Sequence, residues 1–146
     1  MPYLYRNANN SDKEEVFKLY RTVMTGYISK IWGWDELWQK DDFSTHYKPK
    51  KIVLAFNNEK LVAYSQVEEK NDHYFIRMLI VIPSYQNKGI GSHLLTSLKN
   101  KSKKQSKYIR LEVFKTNITA KAFYEKQGFK IVGEIEHSHI MESHHY

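Results

Sequence analysis

The spacing of apolar positions changes several times along the chain, and each change marks an element. Tyr3 to Ala8 alternates weakly between apolar and polar residues, the two-residue period of a strand. Val16, Leu19, Tyr20, Val23, Met24 and Tyr27 then recur at helical spacing. Ser11 with Glu14 three residues later is placed as a capping box for that helix. Gly33 interrupts the pattern, and Asp35 stands where it can cap a shorter helix over ELWQKDDF. KIVLAF, the turn NNEK and LVAYSQVEE predict a hairpin. HYFIRMLIVIP is a long apolar strand that ends at Pro83, and GIGSHLLTSLKNKSKK is a helix with Leu94, Leu95 and Leu98 on one side. In YIRLEVF, Ile109, Leu111 and Val113 share one face while Arg110 and Glu112 share the other. NITAKAFYEKQ is a short helix that Gly128 can end in a left-handed conformation. FKIVGEIEH and the segment around HIMES are closing strands. The order β-α-α-β-β-β-α-β-α-β-β combines hairpins with two helical crossovers, so an α/β (α+β) chain with a mixed, mostly antiparallel sheet is expected.

Composition narrows this reading. The chain has 146 residues with 41% hydrophobic content, enough for the core of one domain spanning 1–146, and it shows no repeat, linker or composition break. No apolar run approaches the roughly 20 residues of a membrane span, so no membrane partner is expected. The start MPYLYRNANN has no charged-then-apolar leader, and the expected location is the cytoplasm. The absence of cysteine rules out disulfides, thiolate metal sites and a thiol nucleophile. The net charge of +7 favours a polyanionic partner, such as nucleic acid, a phosphorylated cofactor or an anionic surface, unless the lysines serve solubility alone.

The stretch VIPSYQNKGIGSHLL gives that charge a direction. Glycine costs a helix about 1 kcal/mol against alanine, yet Gly89 and Gly91 stand at a helix entrance. A helix N-terminus carries unpaired amides and partial positive charge, and glycine lets a phosphate approach the backbone. The spacing fits neither the Walker loop nor the dinucleotide fingerprint, where Leu94 replaces the third glycine. A strand-to-helix turn using glycine for geometry alone is the other reading.

LIVIPSYQNKGIGSHLL resembles the acetyl-CoA signature of the GNAT superfamily of N-acetyltransferases: a hydrophobic strand, V-x-P, then Q/R-x-x-G-x-G/A. LEVFKTNITAKAFYEKQGF is similar to that family's second cofactor motif, with Asn117, Ala120, Tyr124, Gly128 and Phe129 at the expected intervals. The resemblance covers nearly the whole chain and implies a GNAT-like fold of about seven strands and about four helices. It also implies that Gln86, Asn87, Lys88, Gly89, Ile90, Gly91 and Ser92 wrap the pyrophosphate of acetyl-CoA. The strand edge near Leu79 and Val81 would bond the pantetheine arm as an added strand, and Asn117 would contact the cofactor besides capping its helix. Lys88 and the lysines at 99, 101, 103, 104 and 107 could attract the adenosine 3′-phosphate; a solvated helix face is the plainer reading for most of them.

Acyl transfer from a thioester to an amine needs a neutral amine, donors for the oxyanion, and a proton for the departing thiolate. The resemblance places Tyr124 beside the sulfur as the acid; a core aromatic is the alternative. Glu112 lies twelve residues before Tyr124. The arrangement is similar to that of bacterial ribosomal-protein N-terminal acetyltransferases, in which a glutamate here is a proposed base acting through water. A surface carboxylate is the alternative for Glu112, Glu68 and Glu69 are weaker candidates, and a water chain could replace a dedicated base. The oxyanion donor implied is the amide near Val81.

KIWGWDELWQ holds Trp32, Trp34 and Trp38 with Asp35 and Glu36, in the region that usually borders the acceptor site in this superfamily. Aromatic faces and carboxylates suit a cationic amine. Trp34 and Glu36 are the candidate acceptor contacts, although tryptophans also pack cores for their area. This stretch departs from the ribosomal-protein enzymes, so their substrate is not carried over. His137, His139, His144 and His145 form no closed ligand set, and no metal is expected.

The expected function is acetyl-CoA-dependent transfer to a primary amine of a small molecule or peptide, made directly in a ternary complex. A non-catalytic acyl-CoA-binding or regulatory module of the same fold is the alternative. A nucleic-acid partner, suggested only by the lysines, lacks a recognised motif. A homodimer through the closing strands is compatible with the fold.

Overall fold

The computed structural model describes residues 3–145. Seven strands form one mixed sheet: β1 (Leu4–Asn7), β2 (Ile52–Asn57), β3 (Lys60–Glu69), β4 (His73–Val81), β5 (Tyr108–Phe114), β6 (Lys130–Glu134) and β7 (Ser138–Ser143). Their order is β1-β2-β3-β4-β5-β7-β6. The helices are α1 (Lys13–Ile31), α2 (Glu36–His46), α3 (Ile90–Lys104) and α4 (Ile118–Lys126). The expected element order is therefore the observed one. The chain divides into two compact units, one running to Gln66 and including Met78–Gly91, the other made of Val67–Arg77 and the chain from Ser92 onward.

In the first unit, β1 and β3 flank β2 in antiparallel ladders, with Leu4 opposite Phe56 and Val53 opposite Ser65. Residues 62–66 of β3 are all buried, so this strand is covered on both faces and shows no alternation. Its one buried amide side chain is satisfied: Gln66 Nε2 donates to the His46 carbonyl at 2.8 Å. A bulge between Ala55 and Phe56 accounts for the loss of alternation in β2. The helix α1 buries Val16, Phe17, Leu19, Tyr20 and Ile28, and Phe17 meets Phe43 of α2 edge-on at 5.2 Å. Gly33, at φ +79°, supplies the left-handed residue after α1. Asp35 caps α2 as expected, accepting from the Trp38 amide at 3.0 Å.

The capping box lies two residues earlier than the sequence suggested. It joins Asn9 and Asp12 on a short 3-10 turn, not Ser11 and Glu14. The Asn9 side chain accepts from the Ser11 amide at 2.9 Å and from its hydroxyl at 2.5 Å, so the Ser11 side chain is not free to cap. Asp12 accepts from the Asn9 amide and is held by two bonds from Arg6 of β1 at 2.8 and 2.9 Å. A charge-assisted fork outcompetes a neutral hydroxyl for that position.

In the second unit, β4 pairs with β5 in parallel, from His73 opposite Tyr108 to Ile76 opposite Leu111. β7 lies antiparallel between β5 and β6, with Leu111 opposite Met141 and Glu112 opposite Ile140. Tyr74, Ile76, Leu94, Leu95, Leu98, Ile109, Leu111, Val113, Phe129 and Met141 are buried. Burying each large apolar side chain contributes roughly 1.5–3 kcal/mol. The helix α4 ends as the glycine foretold: Gly128 has φ +94°, and the Phe129 amide returns to the Tyr124 carbonyl at 3.0 Å.

Candidate active site

The turn between β4 and α3 is built on the first unit. Pro83 opens a 3-10 turn over Pro83–Tyr85, and the Ile82 amide returns to the Val62 carbonyl at 3.0 Å. The Tyr85 hydroxyl accepts from Asn57 Nδ2 at 2.6 Å. Gln86 folds back so that Nε2 donates to the Val81 carbonyl at 3.1 Å. Asn87 and Gly89 take φ +61° and +85°, two left-handed residues with Lys88 between them. A Cβ at Gly89 would meet no protein atom within 4 Å, so within the protein it is the left-handed backbone that calls for glycine here. Among the described residues, no backbone carbonyl accepts from the amides of Asn87, Lys88 and Gly89. Ile90, 1% exposed, anchors the first turn of α3, and Lys88 is exposed. Left-handed residues that leave successive amides free make an anion-binding concavity, so these residues fit a pyrophosphate. Leu79 and Val81 lie beyond Ile76, where the paired register with β5 ends.

In the second unit, Asn117 accepts from the Ala120 amide at 3.1 Å and so caps α4. Tyr124, two turns further along α4, is one of the most buried residues of the helix at 6% exposure. Its ring lies between Phe123 and Phe129, at 5.4 and 5.5 Å. Burial pushes its phenol well above the ordinary tyrosine value. Among the described residues no protein group bonds that hydroxyl. Glu112 points from the β5 face opposite Leu111 and Val113 and is exposed, and no hydrogen bond joins it to Tyr124. Ser92, in the first turn of α3, accepts from Gln127 Nε2 at 3.1 Å.

The lysines after the turn are mostly engaged. Lys99 donates to the Gln127 carbonyl and, at 3.3 Å, to its Oε1. Lys101 and Lys107 stand over the Tyr74 ring at 5.5 and 5.4 Å. Lys107 also donates to Glu69 and to the Lys70 carbonyl, both at 2.7 Å. Lys103 and Lys104 are exposed.

Trp34 and Glu36 are brought together. The Trp34 indole donates to Glu36 Oε1 at 2.8 Å, and Arg21 donates to Oε2 at 2.5 Å. The Trp34 bond, with Arg21 beside it, holds this exposed carboxyl below its ordinary range. Trp34 also lies 6.1 Å from the Tyr20 ring, while Trp32 and Trp38 are 66% and 60% exposed. Sequence spacing offers no sign of Arg21, whose partner is fifteen residues away. Among the described residues no group of three or more histidine or acidic side chains could hold a metal ion, and no helix is long and apolar enough to cross a membrane.

The order of elements and the glycine turn leading into α3 define an acetyltransferase fold. The chain belongs to the Acetyltransferase (GNAT) family, whose family model it matches over residues 13–129. It is similar in structure to the PaiA N-acetyltransferase of Thermoplasma acidophilum in complex with coenzyme A. That likeness has 22% identity and a TM-score of 0.81 over 99% of this chain and 100% of that one. A GNAT-family acetyltransferase of Staphylococcus aureus Mu50 is similar at 19% identity and a TM-score of 0.78, over 97% and 98% of the chains. The ribosomal-protein-S18-alanine N-acetyltransferase of Escherichia coli is similar at 19% identity and a TM-score of 0.73, over 97% and 93%. Among curated proteins, none matches the chain.

Proposed function

We propose that the chain is a single-domain, acetyl-CoA-dependent N-acetyltransferase that passes an acetyl group directly to a primary amine of a small molecule or peptide. The observation that carries this reading is the turn from Gln86 to Gly89, which leaves successive amides free just before α3. The neighbour solved with coenzyme A supports the same donor. Bound acetyl-CoA would supply an activated acyl group on a thiol leaving group. Gln86, Asn87, Lys88, Gly89, Ile90, Gly91 and Ser92 would hold its pyrophosphate. The backbone at Leu79 and Val81 would hold its arm, with the Val81 amide as the oxyanion donor, and Asn117 would touch the cofactor as well as cap α4.

Tyr124 is the acid in this reading. A buried phenol with a raised pKa stays protonated throughout the neutral range, and its unengaged hydroxyl is left to meet a substrate atom. Glu112, exposed on β5, is the base acting through water. Trp34 and Glu36 receive the acceptor; since Glu36 is already bonded by Trp34 and Arg21, a cationic amine would have to share or replace the Arg21 contact. Direct transfer in a ternary complex is favoured over an acetyl-enzyme because the sequence has no cysteine to carry the acetyl group.

The test is free-thiol release from acetyl-CoA against pools of polyamines, amino acids, aminoglycosides, aromatic amines and peptide N-termini. Release with one pool is the expected result and names the acceptor class. Silence with every pool, in a chain that binds coenzyme A, would instead favour a non-catalytic acyl-CoA-binding module.

A further inference from the structure

Lys99, Gln127 and Ser92 form a hydrogen-bonded chain that the acyl-transfer chemistry does not itself require. The Lys99 ammonium is partly buried, and among the described residues no carboxylate pairs with it. It donates to both oxygens of Gln127, the backbone carbonyl and Oε1. An ammonium has only donors, so the oxygen end of the Gln127 amide must face Lys99 and the NH2 end must face away. That NH2 donates to Ser92 Oγ at 3.1 Å. A hydroxyl that accepts on one lone pair still has one proton to give. Among the described residues no protein group accepts that proton.

We propose that Lys99 and Gln127 are positioning residues: by fixing the polarity of this chain they commit the Ser92 hydroxyl to donate to a phosphate oxygen of the acyl carrier. The inference rests on the acetyl-CoA reading above. Without Lys99 the Gln127 amide can turn over and present its oxygen to Ser92. The serine proton is then drawn into the protein and the phosphate loses a donor. Burial lowers the Lys99 pKa from its ordinary value, so the carbonyl and amide oxygens of Gln127 supply the hydrogen bonds that the ammonium loses from water. A purely structural role is the rival, because a lysine at a helix C-terminus bonds the last carbonyls and stabilises the helix whatever Ser92 does.

The test is calorimetric titration of the full-length chain with coenzyme A, with melting curves recorded alongside. Ser92→Ala should weaken binding about tenfold, the loss of one hydrogen bond to a charged group. Gln127→Ala and Lys99→Met should each weaken it roughly three- to tenfold, and Lys99→Arg should restore most of the loss. Gln127→Glu keeps the Lys99 contact but can only accept from Ser92, so it too should weaken binding and covers the case in which Gln127→Ala fails to fold. In the Ser92→Ala background, the uncharged Gln127→Ala and the charge-conserving Lys99→Arg should have no further effect on affinity. If the Gln127→Ala loss persists in that background, or if the Gln127 and Lys99 substitutions lower the melting temperature and leave affinity unchanged, the polarity relay is overturned and the helix-end role stands. If the unsubstituted chain does not bind coenzyme A, the acetyl-CoA reading falls and takes this inference with it.

Discussion

Replacing Tyr124 with phenylalanine separates the chemistry of its hydroxyl from the packing of its ring. The ring is 6% exposed and keeps its contacts with Phe123 and Phe129 in the variant. No protein group bonds the hydroxyl among the described residues, so near pH 8 the variant should match the parent within about 0.5 kcal/mol. High pH breaks that equality. Burial raises the folded-state pKa above the ordinary value of about 10, so the unfolded chain loses its proton first. Stability attached to the neutral phenol is intact below pH 10 and drains as pH rises toward the folded value. One unit above the unfolded pKa the parent should have lost about 1.4 kcal/mol that Tyr124→Phe retains. Tyr5, Tyr47 and Tyr74 are also raised, but they are common to both proteins and cancel. Urea unfolding of both proteins at pH 8 and pH 11 measures the difference, and parallel losses would refute the buried-phenol argument. Turnover should fall about a hundredfold at pH 8, the lower end of general-acid contributions, with coenzyme A affinity within twofold of the parent. Unchanged turnover would remove Tyr124 from the chemistry.

Gly89→Ala forces a side chain into a left-handed backbone at φ +85° without any clash, so it should cost about 1 kcal/mol of stability and weaken coenzyme A binding, read by melting and titration. Asn117→Ala removes the bond to the Ala120 amide and should cost about 1 kcal/mol in urea unfolding, while Asn117→Asp should retain most of it. Asp12 has its pKa lowered chiefly by the Arg6 bonds, so its contribution is present above about pH 4 and is lost as pH falls through the depressed value; Asp12→Asn should flatten acid unfolding over that window. Glu112→Gln should lower turnover about a hundredfold if this carboxylate is the base, with coenzyme A affinity kept, and unchanged turnover removes it.

Most of the element order was legible because period alone separates strand from helix. Leu94, Leu95 and Leu98 line up on α3, and Ile109, Leu111 and Val113 alternate on β5, whatever the rest of the molecule does. The turn at Gly89 was equally readable, since a left-handed residue before a helix leaves a local mark in residue type. The Asn9–Asp12 cap was misplaced because its strength comes from Arg6, which the capping pattern does not include. The surroundings of the candidate site residues lay further out of reach. That Glu36 is bonded by Arg21 and that Lys99 turns Gln127 toward Ser92 depend on groups fifteen to thirty-five residues apart, and the burial of Tyr124 depends on the packed fold around α4. Sequence spacing encodes the period and handedness of the backbone. The polarity of a hydrogen bond and the pKa of a phenol are set by neighbours that only the folded chain brings near.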